Sequence, residues 1–270
     1  MHVDRVGFIG AGNITESLIR GIITSGCLDP GHMVISDLCE GRLLAMNRML
    51  GPAIAGSNRD VVGEAELVFL AVKPAQVETV AREIGPSVGP GHLVVSVAAG
   101  TSLARVRAAL GDGCRLCRIM PNLAASVRRS TIGLYAGELP DGELAPLYSL
   151  LSHLGRVFRV DDESLMAAIT ALSGSAPAYY VMMAEALVRF GVEQGMSEEL
   201  ASAMVLETME GAAAWARQGR VPMGELWRRV VTPGGTTEAG IAHYDQHRFL
   251  EIFVEGLDRS TQRARELGDR

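Results

Sequence analysis

From residue 5 to about 160, short runs rich in β-branched and other apolar residues alternate with stretches whose apolar positions recur every three or four residues. The runs predict strands at Arg5–Gly10, Met33–Asp37, Leu67–Val72, Leu93–Val97, Arg115–Met120, Gly133–Ala136 and Arg156–Val160. The amphipathic stretches predict helices at Thr15–Ser25, Gly41–Leu50, Val77–Ile84, Leu103–Leu110 and Leu144–Leu154. Strands and helices alternating at this length build a parallel, doubly wound α/β sheet. Beyond Val160 the strand pattern stops, and helix-period segments follow at 162–172, 178–194, 197–217, 223–229 and 247–267. The expected organisation is an α/β domain over 1–160 and an all-α domain over 161–270.

The segment 178–217 carries Ala, Met, Leu and Val on more than one face, with few charges among them. A helix that is apolar around most of its circumference must be buried on most sides. One small helical domain does not provide that, so these helices are expected to pack against a second copy of the chain.

Composition narrows the function classes. The net charge of −6 comes from interspersed acids and bases, which disfavours a nucleic-acid partner. The start, MHVDRVGFIGAGN, lacks the basic and apolar regions of a secretion signal. The apolar stretches are broken short of the roughly 18 residues a membrane span needs. A cytoplasmic protein with reduced thiols is the expectation. Cys114 and Cys117 have zinc- or redox-like spacing, but no second ligand pair follows, so no metal site is expected.

The first strand runs into Gly10-Ala11-Gly12-Asn13-Ile14-Thr15 and then a helix, the context of a Rossmann dinucleotide fingerprint. Gly10 suits the tight turn, and Gly12 lets backbone amides approach a pyrophosphate at the helix N-terminus. The third fingerprint position, normally Gly or Ala, is Thr15, which is expected to widen the helix–strand packing slightly. Asp37 ends the second strand, where an acid accepts from ribose hydroxyls and repels a 2′-phosphate. That favours NADH over NADPH, although Arg42 or Arg59 could swing in to hold the phosphate, and Asp37 could instead cap the next helix. Ala71-Val72-Lys73-Pro74 and Val97-Ala98-Ala99-Gly100 end two further strands at the edge where ligands bind in this architecture. In the helical half, Ser173-Gly174-Ser175-Ala176-Pro177 is expected to interrupt a long helix. Thr232-Pro233-Gly234-Gly235-Thr236-Thr237 precedes a helix beginning near Glu238, forming either a receptor for a small carboxylate or a capped turn.

Together with Met120-Pro121-Asn122, and in this order, these segments resemble the pyrroline-5-carboxylate reductase family along essentially the whole chain. The resemblance implies a Rossmann domain followed by an all-α dimerisation domain, in a homodimer or an assembly of dimers. It implies hydride transfer from NADH or NADPH to the C=N carbon of a small cyclic imino acid, 1-pyrroline-5-carboxylate, giving L-proline. Carried over by motif, Gly10, Ala11, Gly12, Asn13 and Ile14 hold the pyrophosphate, and Asn58 touches the adenosine ribose beside Asp37. Val72, Lys73 and Pro74 flank the nicotinamide together with Ala98, Ala99 and Gly100. Ser175, Gly234, Gly235, Thr236 and Thr237 bind the substrate, with Thr237 near the imine nitrogen as the catalytic hydroxyl. The chain departs from the family pattern at Leu123-Ala124, Ala176 and Thr232. Those departures leave open a different cyclic imine or a non-catalytic dinucleotide sensor.

A β-hydroxyacid dehydrogenase is the nearest rival, but it needs a lysine in the helical half, and the only lysine in this chain is Lys73. A ketol-acid reductoisomerase needs clustered carboxylates for magnesium, and Glu207 with Glu210 is more simply a solvated helix face.

Overall fold

The computed structural model describes residues 4–219 and 221–268, so the outer limits of the two expected domains, 1–3 and 269–270, lie outside the described residues. The strands are β1 (Val6–Ile9), β2 (Met33–Ser36), β3 (Ala53–Ile54), β4 (Leu67–Leu70), β5 (Leu93–Ser96), β6 (Arg115–Met120), β7 (Ser130–Tyr135) and β8 (Gly155–Arg159). The helices between them are α1 (Asn13–Ser25), α2 (Glu40–Leu50), α3 (Asn58–Glu64), α4 (Val77–Ile84), α5 (Leu103–Leu110) and α6 (Asp141–Ser152). After β8 come α7 (Leu165–Ile169), a π-helical stretch Thr170–Ser175, α8 (Ala176–Glu193), α9 (Glu198–Gln218), α10 (Met223–Leu226), α11 (Thr236–Gln246) and α12 (Phe249–Gly268).

The strands form one sheet in the order β3-β2-β1-β4-β5-β6-β7-β8, a Rossmann order whose direction of winding reverses between β1 and β4. β1, β2, β4 and β5 are buried along their whole length, because helices cover both faces of the sheet. Phe8 and Phe69 stack at 5.0 Å and pack with Leu18, Ile19 and Ile22 of α1 on one face. Ile9, Val68 and Leu70 face the other way and pack with Val61, Val77, Ala81 and Val106. The sheet departs from the all-parallel expectation at one pairing, since β7 runs antiparallel to β6. The turn Leu123–Val127 reverses the chain over a few residues, where a parallel partner would need a long crossover.

The chain divides into two compact units, one formed by residues up to Pro177 together with those from Arg259 on, the other by Ala178–Asp258. The first is longer than the expected 1–160 because the stretch after β8 packs on the sheet. Met166, Ala167 and Ala171 are buried, and a Cβ on Gly133 of β7 would meet Ile169 Cγ2 at 2.6 Å. The end of α12 joins the same unit: a Cβ on Gly100 would overlap the carbonyl of Ala264 and come within 2.6 Å of the Gly268 nitrogen.

The second unit is helical. Within it Gly191 of α8 lies against Ala201 of α9, and Tyr179, Phe249 and Phe253 form an aromatic cluster. Val181, Phe190 and Leu206 are 67%, 60% and 62% exposed in the single chain, leaving an apolar surface for another protein to cover. The sequence expectation of no long apolar segment does not hold. The run Leu165–Glu193 is long and apolar enough to span a membrane by length and composition, because the π turn carries the helix through Gly174 and Pro177 without a break.

Candidate functional site

Three strand ends are locked at one level along the sheet edge. Gly10 donates its N–H to Ser36 O at 2.8 Å, Ala71 to Ile9 O at 2.8 Å and Val97 to Leu70 O at 3.1 Å. The register brings together the segments that follow β1, β2, β4 and β5: Gly10–Ile14, Asp37, Val72–Pro74 and Ala98–Gly100. This edge, at the winding reversal, is where open α/β sheets place ligands.

Gly10 has φ +105°, and a Cβ there would sit 2.5 Å from Ala71 O, so only glycine makes the turn. Gly12 differs: a Cβ would meet nothing within 4 Å, which leaves the head of α1 open for a ligand. Together the two glycines fit a dinucleotide pyrophosphate. Thr15 is fully buried and its hydroxyl donates to Gly10 O at 2.6 Å, so this departure from the fingerprint fastens the turn to the helix. Close approach on α1 occurs instead at Gly21, where a Cβ would overlap the carbonyl of Ala125.

Asp37 accepts from Ala11 N at 2.7 Å through Oδ2 and from Cys39 N at 2.8 Å through Oδ1, and the cap of α2 is Cys39. Arg42 crosses the same turn, donating from Nε to Ala11 O and from Nη2 to Asn13 Oδ1, both at 3.0 Å. Arg59 points elsewhere, to Glu83 O at 3.0 Å. Asn58 is held at both ends of its amide, accepting from Ser36 Oγ and donating to Glu83 Oε2, each at 2.8 Å. Sequence reasoning missed Ser36 and Glu83. Neither belongs to a motif, and Glu83 lies 25 residues from its partner.

Beyond β6, Asn122 is buried and its Nδ2 donates to Ser173 O at 3.0 Å. In α-helical register that carbonyl would be served by the N–H of residue 177, which is proline and has none. The Ser173–Pro177 run therefore does not interrupt the helix. It continues as a wider π turn whose Ser173 carbonyl also accepts from outside the helix, and such turns are frequent at functional sites. Gly174 rests on Met120, and Ser175 follows half-exposed. Asn122 Oδ1 also accepts from Ala124 N at 3.1 Å, closing the turn at Leu123-Ala124.

Arg118 of β6 is 3% exposed and pairs with Glu163 at 3.2 Å, while the same Glu163 oxygen accepts from Leu103 N at the head of α5 at 2.8 Å. Among the described residues Arg118 Nε and Nη2 have no partner. Burial pulls the guanidinium pKa down and Glu163 opposes it. Cys114 and Cys117 pack in the two opposite faces of the sheet, and burial pushes both thiols up. They cannot share a metal or form a redox pair, and no cluster of three metal-ligating side chains exists among the described residues.

In the helical unit, Gly234 takes φ +71° and Gly235 caps α11, whose first residues are Thr236 and Thr237. Gly235 N donates to Thr232 O at 2.9 Å, closing the loop on itself. Gly234 N donates to Glu238 Oε2 at 2.7 Å, a contact the sequence reading did not foresee. The head of this helix thus already holds a carboxylate.

Residues 163–267 match the family described as pyrroline-5-carboxylate reductase dimerisation, and residues 5–100 match NADP oxidoreductase coenzyme F420-dependent. The chain is 35% identical over 270 residues to a pyrroline-5-carboxylate reductase of Pseudomonas aeruginosa, covering 100% of this chain and 98% of that protein. It is 36% identical to pyrroline-5-carboxylate reductase 3 of Danio rerio, covering 98% and 92%. The solved structure of a pyrroline-5-carboxylate reductase from Coxiella burnetii superposes with TM-score 0.83 at 32% identity, over 98% of both chains. The pyrroline carboxylate reductase of Plasmodium falciparum, solved with NADP bound, shares the fold at TM-score 0.90 and 21% identity over 98% of both chains.

Proposed function

The chain belongs to the pyrroline-5-carboxylate reductase family, and from that premise we propose that it reduces the C=N bond of 1-pyrroline-5-carboxylate to give L-proline. The observation that carries this reading is the full-length similarity to reductases of that name, with Gly10–Ile14, Val72–Pro74 and Ala98–Gly100 gathered at one sheet edge. The enzyme uses a nicotinamide dinucleotide, and its helical part is a dimerisation domain.

A nicotinamide dinucleotide would supply the hydride and be left oxidised, and the protonated imine would take up the electron pair to become a neutral secondary amine. The protein's task is alignment and exclusion of water. Gly10 to Ile14 hold the pyrophosphate, Gly12 leaving room for it. Asp37 and Asn58 hold the adenosine ribose, Asn58 oriented by Ser36 and Glu83. Val72, Lys73 and Pro74, together with Ala98, Ala99 and Gly100, would flank the nicotinamide. In the helical part, Gly234 to Thr237 receive the substrate carboxylate, Ser175 makes a further contact, and the Thr237 hydroxyl hydrogen-bonds the nitrogen as it becomes an amine. This reading assigns coenzyme binding to 1–160 and substrate binding with dimerisation to 161–270, in a cytoplasmic homodimer or an assembly of dimers.

Asp37 supports NADH as the preferred coenzyme, because a carboxylate at the end of β2 accepts from ribose hydroxyls and repels a 2′-phosphate. Arg42, bonded to Ala11 and Asn13, is the group able to admit NADPH. Initial rates of NADH and NADPH oxidation with pyrroline-5-carboxylate test both statements. Turnover on the order of 1 s⁻¹ or faster, with NADH favoured, is the expected result. Intact dinucleotide binding without turnover on this imine would overturn the substrate reading.

A further inference from the structure

We propose that Glu238 is a specificity-determining residue, an internal carboxylate that competes with the carboxylate of the substrate for the head of α11. The inference rests on the reading that Gly234 to Thr237 receive that group. Gly234 N, turned outward by a left-handed backbone at φ +71°, donates to Glu238 Oε2 at 2.7 Å. A glutamate at the third position of a helix ordinarily folds back on the cap residue's own N–H, here that of Gly235. That donor is already taken by Thr232 O at 2.9 Å, so the side chain reaches one residue further, onto the amide in front of the helix. Glu238 itself is exposed and free to swing away.

An N–H at a helix head, aided by the helix dipole, makes a charge-assisted hydrogen bond to an anion. Two carboxylates cannot share it. A substrate carrying a carboxylate must displace Glu238 or bind beside its charge, whereas a ring without one displaces nothing, and its iminium cation is attracted by Glu238. The residue therefore narrows the enzyme's preference for carboxylated over uncarboxylated cyclic imines. A glutamate serving only to cap the helix would affect both substrates alike.

The test compares wild type, Glu238→Gln and Glu238→Ala on pyrroline-5-carboxylate and on 1-pyrroline with one coenzyme. In Glu238→Ala the ratio of kcat/KM for the carboxylated ring over the bare ring should rise on the order of tenfold, the worth of one charge-assisted hydrogen bond. The rise should come from a lower KM for pyrroline-5-carboxylate, with Glu238→Gln between. A ratio that stays constant or falls overturns the proposal. Thermal shifts by L-proline and by pyrrolidine supply a second readout that needs no turnover. Glu238→Ala should bind proline about tenfold tighter and pyrrolidine no tighter, and equal changes for the two would overturn the proposal independently. A wild type inactive on both rings would instead fault the reductase reading and leave the binding comparison to decide the role of Glu238.

Discussion

Asn122 donates from its side-chain amide to the carbonyl of Ser173, in the π turn just ahead of Pro177. Two motifs 51 residues apart, one at the end of a strand and one in a helix, are thereby parts of one structure. Removing the amide leaves a buried carbonyl short of a donor, which costs about 1–3 kcal/mol beyond the packing lost. Asn122→Ala should lower the free energy of urea unfolding by about 2–3 kcal/mol. An unfolding free energy unchanged from wild type would argue against the coupling.

Buried Arg118 pairs with half-buried Glu163, and loss of both charges should be tolerated better than loss of one. Glu163→Ala leaves a guanidinium at 4% side-chain exposure with no anion, and should cost about 3–5 kcal/mol. Arg118→Met combined with Glu163→Gln should recover most of that in chemical denaturation. Equal instability of the single and double variants would argue against the unpaired guanidinium as the source of the loss.

Two glycines of the fingerprint should fail in different ways. Gly10→Ala forces a side chain into φ +105° and against Ala71 O, so it should reduce folded yield and thermal stability. Gly12→Val places its side chain in open space, so the apo-protein should melt near the wild-type temperature while dinucleotide affinity falls on the order of tenfold or more. Isothermal titration beside calorimetry separates the two effects.

Burial raises the thiol pKa of Cys117 above its ordinary value, with Cys114 shifted in the same direction. For an acid raised in the folded state, the stabilisation is complete below the unfolded-state value and is lost as pH climbs past it. Stability should therefore decline above pH 9.0, with a slope approaching about 1.4 kcal/mol per pH unit for each such thiol. Cys117→Ala should be slightly less stable at neutral pH and show a shallower alkaline decline. An unchanged slope would assign the decline to other groups.

The strands were legible because β-branched runs such as Leu93–Ser96 leave few alternatives, and the fingerprint was legible because Gly10 and Gly12 stand between a strand and a helix. β3 escaped notice, being two exposed residues, Ala53 and Ile54, with too little pattern to detect. The direction of β7 was hidden because alternation of side chains is the same either way. Arg118 in the middle of an apolar strand was a signal that an acid must meet it, but nothing local pointed to Glu163, 45 residues on. At the candidate site, Gly234 to Thr237 could be picked out by composition, while the engagement of Gly234 by Glu238 depends on which way one exposed side chain turns.

Because the end of α12 closes against Gly100, the sheet unit is assembled from both sides of an insertion, residues 178–258. During synthesis the β/α core has all its strands long before this last piece leaves the ribosome. The loop bearing Ala98 and Ala99 is finished only after the helical insertion has been made. Cleavage anywhere in that insertion would leave Gly100 and its backing on separate fragments, held together by packing alone.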